Sequence, residues 1–268
     1  MNVKVCNLRS NDFASDFRES VVNTGFAVVT HHGIDHGLIK EMQQSWRMFF
    51  LADNGYKGEY SDPEDANVGY KGMKSEKAVG AAKADLKEFY HYRPGWRLPM
   101  EVAAATQRMF YQLEDLGIQI LSTLGFAECC KDSDNTILRT IYYPAMDYAA
   151  EQGAVRAAAH EDINFITLLV AASAPGLQVM DTKQKWHDVP HEENSIVVNI
   201  GDMLQLASKG YYKSTTHRVV NPTSSKSDRI SMPLFLHPKS STLLAQGVTA
   251  QQFLDQRLAE IYQKVKNG

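Results

Sequence analysis

Three residues, His160, Asp162 and His217, could together bind a metal ion. His160 and Asp162 are separated by one residue and precede an apolar run, residues 165–172, that is typical of a strand. Residues i and i+2 of an extended segment point the same way, so this imidazole and this carboxylate could face one point. His217 lies in a later apolar segment and is a candidate third ligand. Two histidines and one carboxylate leave further coordination positions open, which suits non-haem Fe(II).

The same residues also have simpler interpretations. A His-x-Asp pair occurs by chance in many proteins as a core or surface contact, and most of the nine histidines lie outside this set. Three protein ligands would also suit the zinc ion of a hydrolase, although no separate residue stands out as the general base for hydrolysis. The metal site is favoured by context, because both segments lie in a β-rich half of the chain, where the strands of a jelly-roll can converge.

A second set of polar residues could bind an anion. Arg229 opens a strongly apolar strand, and Ser231 shares its face. A guanidinium buried without a partner is costly, so Arg229 calls for an anion, and arginine is suited to bidentate binding of a carboxylate. Tyr143, at the close of an earlier strand, could reach the same ligand. A local ion pair for Arg229 and a core position for Tyr143 are the alternatives.

The first half of the chain is predicted to be mainly helical. Apolar residues recur at helical spacing over residues 11–23, 35–51 and 99–124, whereas the β-branched residues 25–30 indicate a strand. Residues 53–83 are rich in Gly, Lys, Asp and Ala and show little periodicity. This segment is either a solvated surface loop or a flap over a site.

The second half of the chain reads as a series of short strands separated by turn signals. This pattern is typical of a sandwich or jelly-roll barrel. Thr249 and Gln252 then match a capping box for a last helix. We predict a mixed α and β fold in one domain, residues 1–268, with a mainly helical region (1–134), a jelly-roll core (135–240) and a C-terminal helix (241–268). The predicted strands are residues 136–143, 165–172, 176–180, 185–189, 195–200, 203–207, 216–220 and 229–236.

Composition narrows the class of protein. The 268 residues are 44% hydrophobic and 22% charged, which is ordinary for a folded globular chain. A net charge of −3 argues against nucleic-acid or anionic-membrane partners, which usually select basic proteins. No apolar run approaches the roughly 20 residues of a membrane helix. The three cysteines, Cys6, Cys129 and Cys130, form no disulfide framework, and no secretory signal is visible, so we expect a cytoplasmic location.

Taken in order, the motifs of this chain resemble those of the isopenicillin N synthase-like family of Fe(II)/2-oxoglutarate-dependent oxygenases, nearly end to end. The "GF..V..HGI" segment, the "D.KE.F" element, the "HTD….TLLV" segment and the Arg-x-Ser pair all have counterparts. Those counterparts, with four further segments in family order, are residues 25–34, 85–89, 160–170, 176–179, 186–190, 198–205, 212–221 and 229–231.

This resemblance implies a double-stranded β-helix in which His160, Asp162 and His217 bind Fe(II) and form the catalytic centre. Arg229 and Ser231 would hold the distal carboxylate of the co-substrate 2-oxoglutarate. With O2, such an enzyme oxidises a small molecule, by default through hydroxylation, and releases succinate and CO2.

Two positions depart from the family pattern. Ile141 stands where the family has asparagine, so one polar contact to the co-substrate is absent or supplied elsewhere. The resemblance implies that Tyr143 assists Arg229 and Ser231. Glu161 stands where threonine is common. Glu161 matters little if its side chain points away from the metal.

Two alternatives remain open at this point. An oxidase of the same fold that needs no 2-oxoglutarate would keep the Arg-x-Ser pair, and a non-enzymatic binding protein could retain the jelly-roll. The sequence names no prime substrate and no oligomeric state. Candidates for lining the pocket, each of which core packing would equally explain, are Tyr70, Tyr90, Arg156, Phe165, Leu204 and His237.

Overall fold

Strands from both halves of the chain form an eight-stranded and a four-stranded sheet. The computed structural model describes residues 1–65, 67–76, 84–145, 156–170, 176–192, 194–220 and 228–266. The first strands in the chain are β1 (Val5–Asn7), β2 (Phe26–Thr30), β3 (Gly69–Lys71), β4 (Glu88–Tyr92), β5 (Ile137–Tyr143) and β6 (Ala157–His160). They are followed by β7 (Ile166–Val170), β8 (Leu177–Met180), β9 (Trp186–Asp188), β10 (Ile196–Ile200), β11 (His217–Val219) and β12 (Arg229–Leu236).

The strand order is that of a jelly-roll. The larger sheet runs β1-β2-β10-β7-β12-β5-β4-β3, and the smaller sheet runs β6-β11-β8-β9. Apart from the parallel β1–β2 pair, strands that are neighbours in these two orders pair antiparallel. The predicted mixed α and β fold with a double-stranded β-helix core is therefore confirmed.

Helices cover the outer face of the larger sheet. The helices are α1 (Phe13–Thr24), α2 (His36–Leu51), α3 (Asn54–Gly58), α4 (Met100–Leu124), α5 (Ala127–Cys130), α6 (Asp202–Ala207) and α7 (Ala250–Lys266). The main core lies where α1, α2 and α4 pack on the sheet, and each large apolar side chain buried there stabilises the fold by about 1.5–3 kcal/mol. Trp46 of α2 donates to Thr106 of α4 over 2.9 Å inside this core. Sheet residues that contribute to it include Val29, Leu138, Leu168, Val170, Val198, Leu234 and Leu236.

The inner face of the larger sheet looks toward the smaller sheet. Phe26, Val28 and Val197 form a second apolar cluster with Val179 of β8 and with Val189, the residue after β9. Because side chains alternate along a strand, polar residues two positions from this cluster face the same interior. Asn199 of β10 and its register partner Thr167 of β7 are two such residues.

The strand predicted over residues 203–207 is wrong, because these residues lie in helix α6. A five-residue apolar run has too little length for its period to separate a strand from a helical turn. Just before the helix, the backbone of Gly201 passes so close to Asn164 that an added Cβ would lie 2.1 Å from the Asn164 carbonyl oxygen. Asp202 occupies the first helical turn, where a negative charge is favourable.

The region N-terminal to residue 135 contributes more strand than the sequence predicted. It supplies β1, β2, β3 and β4 to the larger sheet. The predicted loop at residues 53–83 contains α3 and β3, while residues 66 and 77–83 lie outside the described residues. The flap hypothesis for this segment stays a prediction.

The last helix begins as predicted. The backbone N–H of Gln252 donates to the Thr249 hydroxyl over 3.2 Å, and the Thr249 N–H donates to the Gln252 side chain over 2.9 Å, which is a capping box. Among the described residues, no helix has both the length and the apolar content needed to cross a membrane.

Candidate metal centre

The predicted metal ligands lie at facing ends of two paired strands. His160 is the last residue of β6 and His217 is the first residue of β11, and the two are register partners across this antiparallel pair. Their ring centroids are 4.4 Å apart. Asp162 follows β6 by two residues, on the turn that leads to β7. The local sequence therefore brings a carboxylate back to the point where the two imidazoles meet.

The three side chains form one cluster. Asp162 Oδ1 is 3.7 Å from His160 Nε2, and Asp162 Oδ2 is 3.8 Å from His217 Nε2. One nitrogen or oxygen from each residue lies within 4.8 Å of the others. The side chains of Asp162 and His217 are 7% and 8% exposed, whereas that of His160 is 39% exposed. The site is thus built into the interior and reached from the His160 side.

Backbone carbonyl groups orient both imidazole rings. His160 Nδ1 lies 2.7 Å from the Ala158 carbonyl oxygen, and His217 Nδ1 lies 3.1 Å from the Thr215 carbonyl oxygen. A carbonyl oxygen can only accept, so each Nδ1 carries the proton and donates it. Each Nε2 faces Asp162 and is the ring nitrogen left to bind a metal. This is the tautomer in which a histidine binds a metal through Nε2.

The protonation states also suit a cation. Burial, with the neighbouring His217 imidazole, lowers the pKa of His160 to about 4, so this ring is neutral near pH 7. Burial opposes ionisation of Asp162, but the two imidazoles and hydrogen bonds from Asn199 and Thr167 outweigh it and hold the pKa of Asp162 below its ordinary value. Two imidazoles and one carboxylate form a donor set that fits Fe(II).

The predicted anion-binding residues lie on the inner face of the larger sheet. Arg229, 2% exposed, is the first residue of β12 and the register partner of Tyr143, and Ser231 is the partner of Ile141. Directly opposed residues of an antiparallel pair project from the same face. The Arg229 guanidinium lies 5.2 Å from the centre of the Tyr143 ring, and that of Arg156 lies 5.7 Å from it.

A buried ionic network connects this face with the strand that carries His160. Lys87 pairs with Glu76 at 3.0 Å and with Asp85 at 2.8 Å. The other oxygen of Asp85 accepts from the Ala158 N–H over 3.3 Å. Since the Ala158 carbonyl oxygen accepts from His160, this network reaches the residue that orients a candidate ligand.

Arg139 completes the network from β5. Its guanidinium donates to both oxygens of Glu76 at 3.0 and 3.1 Å and contacts His91 at 2.5 Å. Sequence reasoning missed this network, although Asp85 and Lys87 belong to the "D.KE.F" element that carried the resemblance. Nothing in that short element indicated which side chains it would meet.

Most of the candidate pocket residues face elsewhere. Tyr70, Tyr90, Phe165 and Leu204 belong to the main core on the helical side of the larger sheet. These four positions are therefore explained by packing. Arg156 lies beside Tyr143 on the inner face. His237 is buried just after β12, with its Nδ1 3.1 Å from the Phe235 carbonyl oxygen.

Comparison with known proteins gives two family matches that cover different parts of the chain. Residues 134–238 match the 2OG-Fe(II) oxygenase superfamily, and residues 5–110 match the N-terminal region of the non-haem dioxygenases described from morphine synthesis. The first match contains the three candidate ligands and the Arg229–Ser231 pair.

Solved structures and a characterised relative agree with these matches. A protein from Shewanella oneidensis, described as an oxygenase, is 38% identical and superposes with a TM-score of 0.86 over 97% of this chain and 99% of its own. A 2OG-Fe(II) oxygenase family protein from Caulobacter crescentus is 30% identical, with a TM-score of 0.82 over the same shares of both chains. The proline hydroxylase buaE of Petromyces alliaceus is 27% identical over 95% of each chain.

Proposed function

Because this chain belongs to the 2OG-Fe(II) oxygenase superfamily, we propose that its ferrous ion is bound by His160, Asp162 and His217. The protein is an Fe(II)- and 2-oxoglutarate-dependent dioxygenase, an oxidoreductase that uses O2. The observation that carries the ligand assignment is the meeting of two imidazoles and one buried carboxylate within 4.8 Å. Because carbonyl oxygens occupy both Nδ1 atoms, the Nε2 atoms are the ones that can bind the metal.

Arg229 and Ser231 are proposed to bind the distal carboxylate of 2-oxoglutarate, and Tyr143 to assist them. Support comes from their common face in the sheet and from the buried position of the guanidinium. An arginine fork can donate two parallel hydrogen bonds to one carboxylate, and the serine hydroxyl can donate a third. The Tyr143 ring, beside the guanidinium, limits its movement.

The reaction we propose is hydroxylation of a small molecule, with conversion of 2-oxoglutarate and O2 into succinate and CO2. The bound iron supplies the oxidising chemistry, while the protein orients the reactants and excludes water. Relatives named as hydroxylases, among them the proline hydroxylase, support hydroxylation as the proposed outcome.

We also propose that residues 1–268 act as one domain. Strand β2 lies between β1 and β10, and β4 pairs with β5, so the larger sheet needs both the 1–134 and the 135–240 regions. A cytoplasmic location and the absence of nucleic-acid and membrane partners stay predictions from composition.

Oxygen consumption and succinate release with and without 2-oxoglutarate test the proposed function. The Fe(II)-loaded protein is incubated with pools of small metabolites, and we expect both signals to require 2-oxoglutarate. Oxygen uptake without 2-oxoglutarate would instead indicate the oxidase alternative. His217→Ala should lose iron and succinate release together, whereas His31→Ala, at an exposed position, should keep both. Full turnover by His217→Ala would refute the ligand assignment.

A further inference from the structure

One oxygen of Asp162 already has two hydrogen-bond partners. Asp162 Oδ2 accepts from the Thr167 hydroxyl over 2.6 Å and from the Asn199 amide over 2.8 Å. Thr167 and Asn199 are 3% and 4% exposed, so water cannot easily replace either contact. Neither residue was a candidate site residue in the sequence. The metal site expected from the sequence consisted of its three ligands.

The direction of the threonine hydrogen bond follows from its neighbours. Asn164 donates from Nδ2 to the Ile166 carbonyl oxygen over 2.6 Å and to Thr167 Oγ1 over 3.2 Å. The single hydroxyl proton of Thr167 could go to Asn164 Oδ1 at 3.4 Å or to Asp162 Oδ2 at 2.6 Å. The shorter contact, to an ionised acceptor, is the stronger hydrogen bond. Thr167 therefore donates its proton to the carboxylate.

The two oxygens of Asp162 are consequently not equivalent. A carboxylate oxygen has two lone-pair sites, and both sites of Oδ2 are used by Thr167 and Asn199. Oδ1 lies 3.7 Å from His160 Nε2, and within the part of the chain that the structure describes no group donates to it. We propose that Thr167 and Asn199 are positioning residues that make Asp162 a one-oxygen metal ligand through Oδ1. This inference rests on the proposed function, in which Asp162 binds the metal.

The surrounding backbone makes this arrangement rigid before any metal binds. Thr167 and Asn199 are register partners on β7 and β10, inside the larger sheet. The Asp202 N–H donates to the Asp162 carbonyl oxygen over 2.7 Å, and the Met203 N–H donates to that of Ile163 over 3.1 Å. Hydrogen bonds to the Asp162 side chain and to the backbone carbonyl groups of Asp162 and Ile163 thus fix this turn. A ligand fixed in advance loses less entropy on binding.

Metal affinity tests the inference without turnover. Binding of Mn(II), a stable substitute for Fe(II), is measured by calorimetry on the full chain. We expect Thr167→Val and Asn199→Leu each to weaken binding by about 10- to 100-fold, the usual effect of losing a group that orients a ligand. Thr167→Ser keeps the hydroxyl and should restore affinity to within about threefold of the wild type, an order-of-magnitude expectation for a retained hydrogen bond.

A matched control separates positioning from general destabilisation. Thr106 is also buried, and its hydroxyl donates to the Val102 carbonyl oxygen over 2.7 Å in the helical core. Thr106→Val should lower the melting temperature and leave Mn(II) affinity unchanged. A positioning role for Thr167 requires that affinity fall with the loss of its hydroxyl and return with serine.

The possible results distinguish the two proposals. Asp162→Ala should lose Mn(II) binding, and retained binding by that variant would contradict the proposed ligand set itself. If Asp162→Ala loses the metal while folded Asn199→Leu and Thr167→Val bind it as the wild type does, the ligand set stands and the positioning inference is wrong. If Thr167→Val does not fold, Asn199→Leu decides the question alone, because its amide contacts the same oxygen.

Discussion

Replacement of Arg229 tests whether 2-oxoglutarate binds to the buried guanidinium of this residue on the inner face of the larger sheet. Arg229→Leu removes both the charge and the hydrogen-bonding fork while keeping an apolar side chain in the strand. Arg229→Lys keeps the charge but replaces the planar fork by a single ammonium group. The two variants therefore separate the contribution of charge from that of geometry.

The expected losses follow from burial. Arg229 is 2% exposed, so a carboxylate bound to it would be almost fully removed from water. Removing one partner of such a pair costs about 3–5 kcal/mol, which corresponds to a roughly 100- to 4,000-fold weaker Kd. Loss of one charge-assisted hydrogen bond in Arg229→Lys costs about 1.5–3 kcal/mol, or roughly 10- to 100-fold.

The assay is calorimetric titration of 2-oxoglutarate into the Mn(II)-loaded protein. Mn(II) affinity itself should be unchanged in both variants, because Arg229 is not among the proposed ligands. Arg18→Leu is the control, since Arg18 is exposed and donates to the Thr123 carbonyl oxygen on the helical side. The Arg229→Leu protein is tested in its folded, metal-loaded form. If this form binds 2-oxoglutarate with the wild-type Kd, the co-substrate carboxylate must lie elsewhere.

Two further changes give measurable outcomes in the same region. Tyr143→Phe should weaken 2-oxoglutarate binding by roughly 2- to 10-fold, the value of one neutral hydrogen bond, and an unchanged Kd would leave Tyr143 only its ring contact with Arg229. Glu76→Gln should lower the free energy of unfolding at pH 7 by about 1–3 kcal/mol, less than for a fully buried ion pair because the Glu76 side chain is 31% exposed. Burial opposes ionisation of Glu76, but the positive charges of Arg139 and Lys87 outweigh burial and lower the Glu76 pKa. The ionised Glu76 therefore contributes fully to the free energy of unfolding above the unfolded-state pKa of about 4.3, and this contribution is lost as the pH falls toward the lower native pKa. Urea unfolding at pH 7, 5 and 3.5 measures the difference in free energy of unfolding between the wild type and Glu76→Gln. This difference should shrink only at pH 3.5, and a difference that grew on acidification would contradict the lowered pKa of Glu76.

The sequence predicted the parts of the fold whose pattern is local. Helices α2 and α4 have apolar residues at helical spacing, and strands such as β10 and β12 are short apolar runs between turn signals. Helix α6 was assigned wrongly because its apolar residues are too few to show a period.

Strand β4 was missed for a different reason. All five of its residues are buried, yet they include Glu88 and His91, so no alternation of apolar and polar residues is visible. Glu88 is buried because it pairs with Lys57 at 2.8 Å on the helical side of the sheet, and His91 because it meets Arg139 on the other. These partners are distant in sequence, and local patterns cannot reveal them.

The candidate site shows the same division. The ligand types were readable from His160, Asp162 and His217, since their chemistry restricts the metal. The residues that orient the ligands were not, because threonine and asparagine in a strand are common and gain a role only from the register between β7 and β10. The spacing of a motif identifies the groups that act, whereas tertiary contacts determine their orientation.

The central claim is that one metal ion binds where the two paired histidines meet the aspartate. A crystal grown without oxygen and soaked with Fe(II) tests it most directly through anomalous scattering at the iron edge. We predict a single strong peak about 2.0–2.2 Å from His160 Nε2, His217 Nε2 and one oxygen of Asp162, as expected for first-row metal–ligand bonds. A peak at any other group of side chains, or no peak here at an iron concentration that supports turnover, would contradict the account.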